Sequence, residues 1–569
     1  MRILLREYLA MLKESGEFDA LFPDLLREMG IVPLSAPQIG VRQAGVDLSA
    51  VGNDNAEVKT LWLFVLKRGD IGRHEWGSGP QSVRQSLNEI EDVYLRNNVR
   101  PEHIGLPVKV VIVTTGDFKR DNEQERVGYT SRRTDGTRTY EFWNGDHVAA
   151  LMEGHLLDEY AMPEAARSQL RRALALIGEP DYDLQHYYAI LKDLFAWDAH
   201  TAEKPAKQTR LRVRSLATVS LALGILWHWA QQENNLRSAV IATERTLLWA
   251  WDVIRKNGLT KQKKVMRAYY RLVEMYLNVS TVYFNKVQSH LFEKNAMARY
   301  CSESSLLNER VFEEFGRIAT IGLVHLFFGY ATGNRKRGEQ GANTIAQALE
   351  AFIESHPVTG SPCYDAHCID LSLAFVLFYS TNRVEVAKTW LGELIGRLTY
   401  SYRVGKWFPI ATDNFDDLVA FEIERNDLDL EKLKSMSWMI PTVAQWAAAL
   451  GADEAYAHLM RLPEDVLNQT CFQLWYPDET TDALRYAGPA HLEGGITEAP
   501  IILPATAEEM RQNIKRLRTE SPIKDQVMTS AAQAGLTFLD FIGCRHFRTP
   551  VDPAFWQKLV LIAEGAAAP

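Results

Sequence analysis

Apolar residues at the start of the chain recur with a helical period: Leu4, Leu5, Tyr8, Leu9 and Leu12, then Phe22, Leu25, Leu26 and Met29. Gly30 ends this pattern, and from Ile31 the apolar pieces are short enough for strands. Gly45–Val51 alternates apolar and polar positions. Leu61–Leu66 is a continuous apolar run ending in Lys67, as expected of a central strand buried on both faces. A helix is predicted over Val83–Leu95 and a third strand over Val108–Val113, closing on Thr114-Thr115-Gly116. A fourth strand, Tyr140–Trp143, turns at Asn144-Gly145 into a helix from Asp146. Helix, strands, helix, strand, strand and helix make a mixed α/β domain over residues 1–160.

Strand signals nearly vanish beyond residue 160. Helices are predicted over Glu164–Ile177, Leu184–Ala196, Ser215–Gln232, Ala239–Lys256, Lys264–Phe284, Asn308–Tyr330, Ile345–Glu354, His367–Tyr379 and Val384–Leu398. Residues 161–214 read as a helical connector whose last part, Thr201–Arg214, is a polar, basic linker. A helical domain follows over 215–490, and a C-terminal helical segment over 491–569 opens with a long loop, Gly494–Pro504. No repeat of fixed period is present. Two nearly uncharged runs, Ser215–Ala230 and Ile318–Thr332, fall short of the roughly 20 residues a membrane-spanning helix needs, so buried core helices are expected and a membrane is not.

At 569 residues the chain exceeds a single core, and 46% hydrophobic with 24% charged residues is ordinary for a globular protein. The net charge of −9 excludes a protein coated in nucleic-acid-binding surface but leaves room for a local basic groove. Five cysteines, none in the first 300 residues, are no disulfide framework. Arg2, Arg6 and Glu7 among the first apolar residues suit an amphipathic helix rather than a signal peptide, so the expected compartment is the cytoplasm.

Candidate chemistry lies in the α/β domain. A metal-dependent phosphodiesterase needs carboxylates to hold Mg²⁺ or Mn²⁺ and a lysine near the attacked phosphate. Gly45-Val46-Asp47-Leu48 offers an aspartate on one strand, and Phe64-Val65-Leu66-Lys67 offers a lysine on the next. Glu28 ends the opening helix, the strand 108–116 closes in Thr-Thr-Gly, and Tyr140–Met152 is a strand entering a helix. In this order the pieces resemble the restriction-endonuclease-like nucleases of the Mrr type, over roughly residues 1–155. The resemblance implies an α/β restriction-endonuclease-like domain ahead of a large all-α region. It implies Asp47 as principal metal ligand, Glu28 as supporting metal-binding acid and Lys67 as catalytic lysine. Where the family pattern has glutamate or glutamine two residues before the lysine, this chain has Val65. Glu89 or Glu91, on the following helix, would then supply the missing carboxylate.

The function so implied is a Mg²⁺-dependent DNA endonuclease of prokaryotic restriction or antiphage-defence type. Its helical region would sense a trigger, bind a protein partner or form a homo-oligomer. The alternative is a catalytically degenerate domain in a nucleic-acid-binding or protein-interaction scaffold. Lys261, Lys263, Lys264 and Arg267, near Gly258, form a basic cluster suited to nucleic-acid phosphates. Cys363, His367 and Cys368 lack the second ligand pair of a zinc site. No phosphate-binding Gly-rich loop followed by Lys and Ser/Thr is present, nor a nucleophile elbow.

Overall fold

The computed structural model describes residues 2–12, 18–34, 44–54, 56–79, 82–156, 162, 164–180, 182–197, 204–299, 304–404, 414–423, 432–488, 495–520 and 528–562. The chain divides into two units, Met1–Ala242 and Thr243–Pro569.

The first unit begins with α1 (Arg2–Met11) and α2 (Asp19–Glu28), then β1 (Val32–Pro33), β2 (Leu48–Asn53) and β3 (Lys59–Lys67). After α3 (Arg73–Gly77), α4 (Val83–Glu89) passes through a π turn at Ile90–Tyr94 into α5 (Leu95–Asn97). Then come β4 (Val108–Thr114), α6 (Glu123–Ser131), β5 (Arg138–Trp143) and α7 (Gly145–His155). The strands lie in the order β1-β2-β3-β4-β5. The first two pairings are antiparallel and the last two parallel. Because each parallel step must carry the chain back to the starting edge, a crossover separates β3 from β4 and β4 from β5. The second crossover is α6. Its sequence, EQERVGYTS, buries little beyond Tyr129, which is why apolar periodicity does not announce it.

Both faces of β3 are covered, as its unbroken apolar run requires. One face carries Leu61, Leu63 and Val65, packed with Trp76, Val83, Leu87 and Ile90. The other carries Trp62 and Phe64, whose rings meet Trp143 of β5, while Phe22 of α2 touches Phe64 edge-on at 5.1 Å. Three further helices complete the unit: α8 (Glu164–Leu176), α9 (Gln185–Leu194) and α10 (Pro205–Gln232). The described part of the expected linker, 205–214, is thus the first turns of a 28-residue helix. Pro205 sits at its start, where a missing N–H costs nothing, and the following Lys, Gln, Arg and Leu residues favour helix. Arg212 is buried beside the Trp197 ring.

After α11 (Leu236–Lys256), which contains the division, the second unit is mostly helical. It opens with α12 (Lys263–Leu291), α13 (Ser304–Ala331), α14 (Arg335–Ser355), α15 (His367–Ser380) and α16 (Val384–Val404). Sequence reading missed two small sheets: Met436–Ser437 beside Cys471–Phe472, and Leu474–Tyr476 beside Ile496–Glu498. The second lies partly within the expected loop 494–504, whose strand is only three residues long and mostly exposed. Ser215–Ala230 falls in α10 and Ile318–Thr332 largely in α13, and most of their apolar side chains are buried. No described helix is long and apolar enough to cross a membrane.

Candidate functional site

Asp47 stands at the start of β2, where the ladder to β3 goes out of step. Its amide donates to the Phe64 carbonyl at 3.0 Å, although Phe64 is the partner of Leu48. Two residues therefore oppose one, the arrangement of a β-bulge. The Asp47 carboxylate fills the resulting gap, its Oδ2 accepting the Leu66 N–H at 2.7 Å. The turn before it is tightly specified. Gly45 has φ +81°, and a Cβ there would lie 2.1 Å from the Ser86 carbonyl oxygen of α4. Only glycine meets both conditions, so the approach of Asp47 to β3 is fixed from the helix side.

Lys67 is the residue after Leu66 and ends β3, paired with Thr114 of β4. The β2–β3 pairing thus brings Asp47 and Lys67 to one edge of the sheet. Lys67 shares its strand face with Val65, two positions back. Val65 is fully buried among apolar side chains, so the position at which the resemblance expects a carboxylate or amide is sealed into the core.

The other expected acids have different surroundings. Glu28 is exposed at the end of α2. Glu91 accepts hydrogen bonds from Arg133 Nε at 2.9 Å and the Tyr140 hydroxyl at 2.7 Å, with Arg138 3.7 Å away. Burial and this bond push the Tyr140 phenol well above its ordinary range. Arg138 pairs with Val108 at the opening of β4, whereas Lys67 pairs with Thr114. Tyr140 pairs with Val110, so Glu91 lies beside strand positions four to six residues from Thr114, about 13–20 Å along the strands from the Lys67 end at about 3.3 Å per residue. Glu91 therefore does not join Asp47 and Lys67. Glu89 is two residues earlier, which on a helix is the opposite flank. It lies one turn from Ser86, whose carbonyl faces Gly45. Of the two glutamates, Glu89 is on the side of Asp47.

The loops at the Lys67 end are stitched together in a way the sequence reading did not foresee. Gly69 N–H donates to Thr115 Oγ1 at 3.0 Å, Thr115 N–H to the Lys67 carbonyl at 3.3 Å, and Asp117 N–H to Asp70 Oδ1 at 3.0 Å. Arg6 of α1 reaches across this end: its guanidinium binds Asp117 at 2.9 Å, Asp146 at 3.1 Å and the Thr115 carbonyl. A Cβ on Gly145 would overlap the Arg6 guanidinium. Arg6, Asp117, Asn144 and Asp146 thus surround the carboxyl ends of parallel strands, where open α/β sheets place their ligands. The signal for them is the pair of glycine-containing strand ends, Thr-Thr-Gly-Asp and Asn-Gly-Asp, in a parallel sheet.

Among the described residues no group of three or more His, Cys, Asp or Glu side chains is placed to hold a metal ion. Asp47 has one oxygen committed to a backbone amide, Val65 offers none, and Glu91 is engaged elsewhere. The described donor set does not by itself fit Mg²⁺ or Mn²⁺.

In the second unit, Lys261, Lys263, Lys264 and Arg267 are all exposed around the start of α12. Cys363 lies ahead of α15 rather than on it, and its amide donates to His367 Nδ1 at 3.0 Å. His367 Nε2 then faces Glu309 at 3.0 Å, and burial pushes the Cys363 thiol up and the His367 imidazole down. These are the contacts of a buried structural cluster. No family model, curated protein or solved structure matches this chain.

Proposed function

We propose that the N-terminal α/β domain is a nuclease-type domain of the Mrr kind acting on the phosphodiester backbone of DNA, with Asp47 and Lys67 as its working pair. One observation carries this reading: antiparallel pairing of β2 and β3 brings an aspartate and a lysine to the same edge of a mixed sheet. Asp47 is held in place by the Leu66 amide, which donates to its Oδ2. Lys67 has no ion pair among the described residues, so its amine is available to a phosphate oxygen. Glu89 is the carboxylate best placed to complete the site. Asp47 and Glu89 are the carboxylates that would have to hold a divalent cation, which would supply charge neutralisation at the phosphate.

The experiment is a nicking assay on supercoiled DNA with Mg²⁺ or Mn²⁺, using the full chain alone and with cell extract as a source of activator. Asp47→Ala and Lys67→Ala should each cost at least about a hundredfold in rate, the usual scale of lost electrostatic stabilisation. Lys67→Ala should retain DNA binding better than cleavage, since it acts on the transition state. Glu89→Gln should abolish cutting and Glu91→Gln should not. Cleavage untouched by Asp47→Ala would sink the enzyme reading.

A second reading, a domain that holds DNA or a protein without cutting, is favoured by the burial of Val65. It expects no cleavage from the parent protein with either metal and retention of duplex binding.

A further inference from the structure

The helix α12 of the second unit carries an excess of positive charge. Its 29 residues hold five Lys and Arg against one Glu, in a chain whose net charge is −9. One face of the helix is core, with Val265, Tyr269, Leu272, Tyr276 and Val279 fully buried. On the other, Lys263, Lys264 and Arg267 are exposed, and Lys261 is exposed in the turn before. None of these four has an acidic partner among the described residues. A few residues upstream the rule is different: Arg255 and Lys256 are both neutralised by Asp252, at 2.6 and 2.7 Å. Four like charges within seven positions repel one another, and nothing described in the protein relieves them. The first turn of α12 contains no acidic residue, and its N-cap, Gln262, makes no side-chain cap bond. The positive end of the helix therefore adds to the same field.

We infer that this face binds the sugar-phosphate backbone of duplex nucleic acid, without regard to sequence. The charge calls for a polyanion, and the four cations lie together around the start of the helix, ahead of the exposed Glu274. Beyond Glu274 the exposed positions include Asn278, Thr281 and Asn285, whose amides and hydroxyl suit phosphate and sugar contacts. An anionic membrane is a poorer fit. Surface-lying helices insert Trp, Phe or Leu beside their cations, and the one large apolar side chain that α12 exposes is Val282. This inference shares the DNA of the proposed function but not its chemistry, and it stands whether or not Asp47 cuts.

The test is fluorescence anisotropy of a labelled 25-base-pair duplex with the full chain in EDTA, over a salt series. The variant Lys261→Glu/Lys263→Glu/Lys264→Glu/Arg267→Glu should bind at least tenfold more weakly. Its log–log salt slope should be shallower by about three to four, since each lost phosphate contact removes about 0.9. The corresponding fourfold Gln variant should fall between it and the parent. Circular dichroism should be unchanged, because all four positions are exposed. Parent-like affinity and slope in the Glu variant would overturn the proposal. So would binding to phosphatidylserine vesicles that exceeds binding to duplex DNA. Failure of the enzymatic reading is told apart in the parent protein: duplex binding that depends on these four residues, with no nicking in Mg²⁺ or Mn²⁺, leaves this inference standing and overturns the other alone.

Discussion

A carboxylate that completes a hydrogen-bond ladder is a different object from one that waits for a ligand, and Asp47 has at least the first duty. Its type and position were legible from Gly45-Val46-Asp47-Leu48, but the bulge was not, because a one-residue slip leaves no mark on apolar spacing. Val65 was legible as a departure and its burial follows from the continuous run 61–66. Glu89 and Glu91 could not be separated by sequence, because the Arg133 and Tyr140 partners of Glu91 lie more than 40 residues away. Arg6 was invisible in this role, since its partners are 109 to 140 positions away. It makes the sharpest prediction at this scale. Arg6→Ala leaves Asp117 and Asp146 facing each other's loops without their shared cation, and Gly145→Ala displaces the same guanidinium. Partly exposed ion pairs contribute little singly, so each variant should lose only about 1–2 kcal/mol, read by urea unfolding. Nicking, if present, should fall more than stability does, because the loops at the Lys67 end lose their tie. A variant with parent-like stability and parent-like loop protection in hydrogen exchange would show that Arg6 ties nothing.

At the scale of elements, long amphipathic helices and the central strands were readable because burial imposes its period on them. What escaped was α6, nearly all polar, and the three-residue strands of the second unit, too short to show any period. The basic linker failed for a different reason. Charge and a proline suggested a hinge, yet 205–214 is made of good helix formers following a proline at the one position where a helix welcomes it. The helix opposite β3 contains a π turn at Ile90–Tyr94, in effect one residue more than a regular helix needs. Deleting exposed Asp92 should let the segment close into ordinary α-helix while Val83, Leu87 and Ile90 keep their places. A melting temperature within about 3 °C of the parent is expected, whereas deleting Gln85, in regular helix, should cost far more. Equal damage from both deletions would mean that the wide turn is not a spare residue.

The whole molecule carries charge in its interior, chiefly in the second unit. Glu244, Arg317, Asp370, Arg485 and Asp540 are all nearly or fully buried. The histidines there set a pH dependence. Burial lowers His325, His356, His367 and His546 below the ordinary imidazole range. The unfolded chain therefore takes up protons first, near pH 6.5, and stability must fall as pH drops from there toward the folded values. Burial raises Asp370 and Asp540, which act in the opposite sense. The histidine contribution is isolated by substitution: His325→Gln and His356→Gln should each flatten the loss of melting temperature between pH 7.5 and 5.5. An unchanged slope in both would remove these histidines from the account. Four of these five buried charges, all but Arg317, also share a source. Helix Phe538–Phe547 and the residue after it supply Arg545 and His546 to Glu244, Asp540 to Arg485, and Arg548 to Asp370. Glu244 is therefore synthesised some 300 residues before its cation. At roughly 5–20 residues per second this is a wait of about 15 to 60 seconds on the ribosome. Through that interval the second unit cannot close its core without an unpaired interior charge, so it folds late, while the sheet of the first unit, whose strands all lie before residue 144, is free to form early.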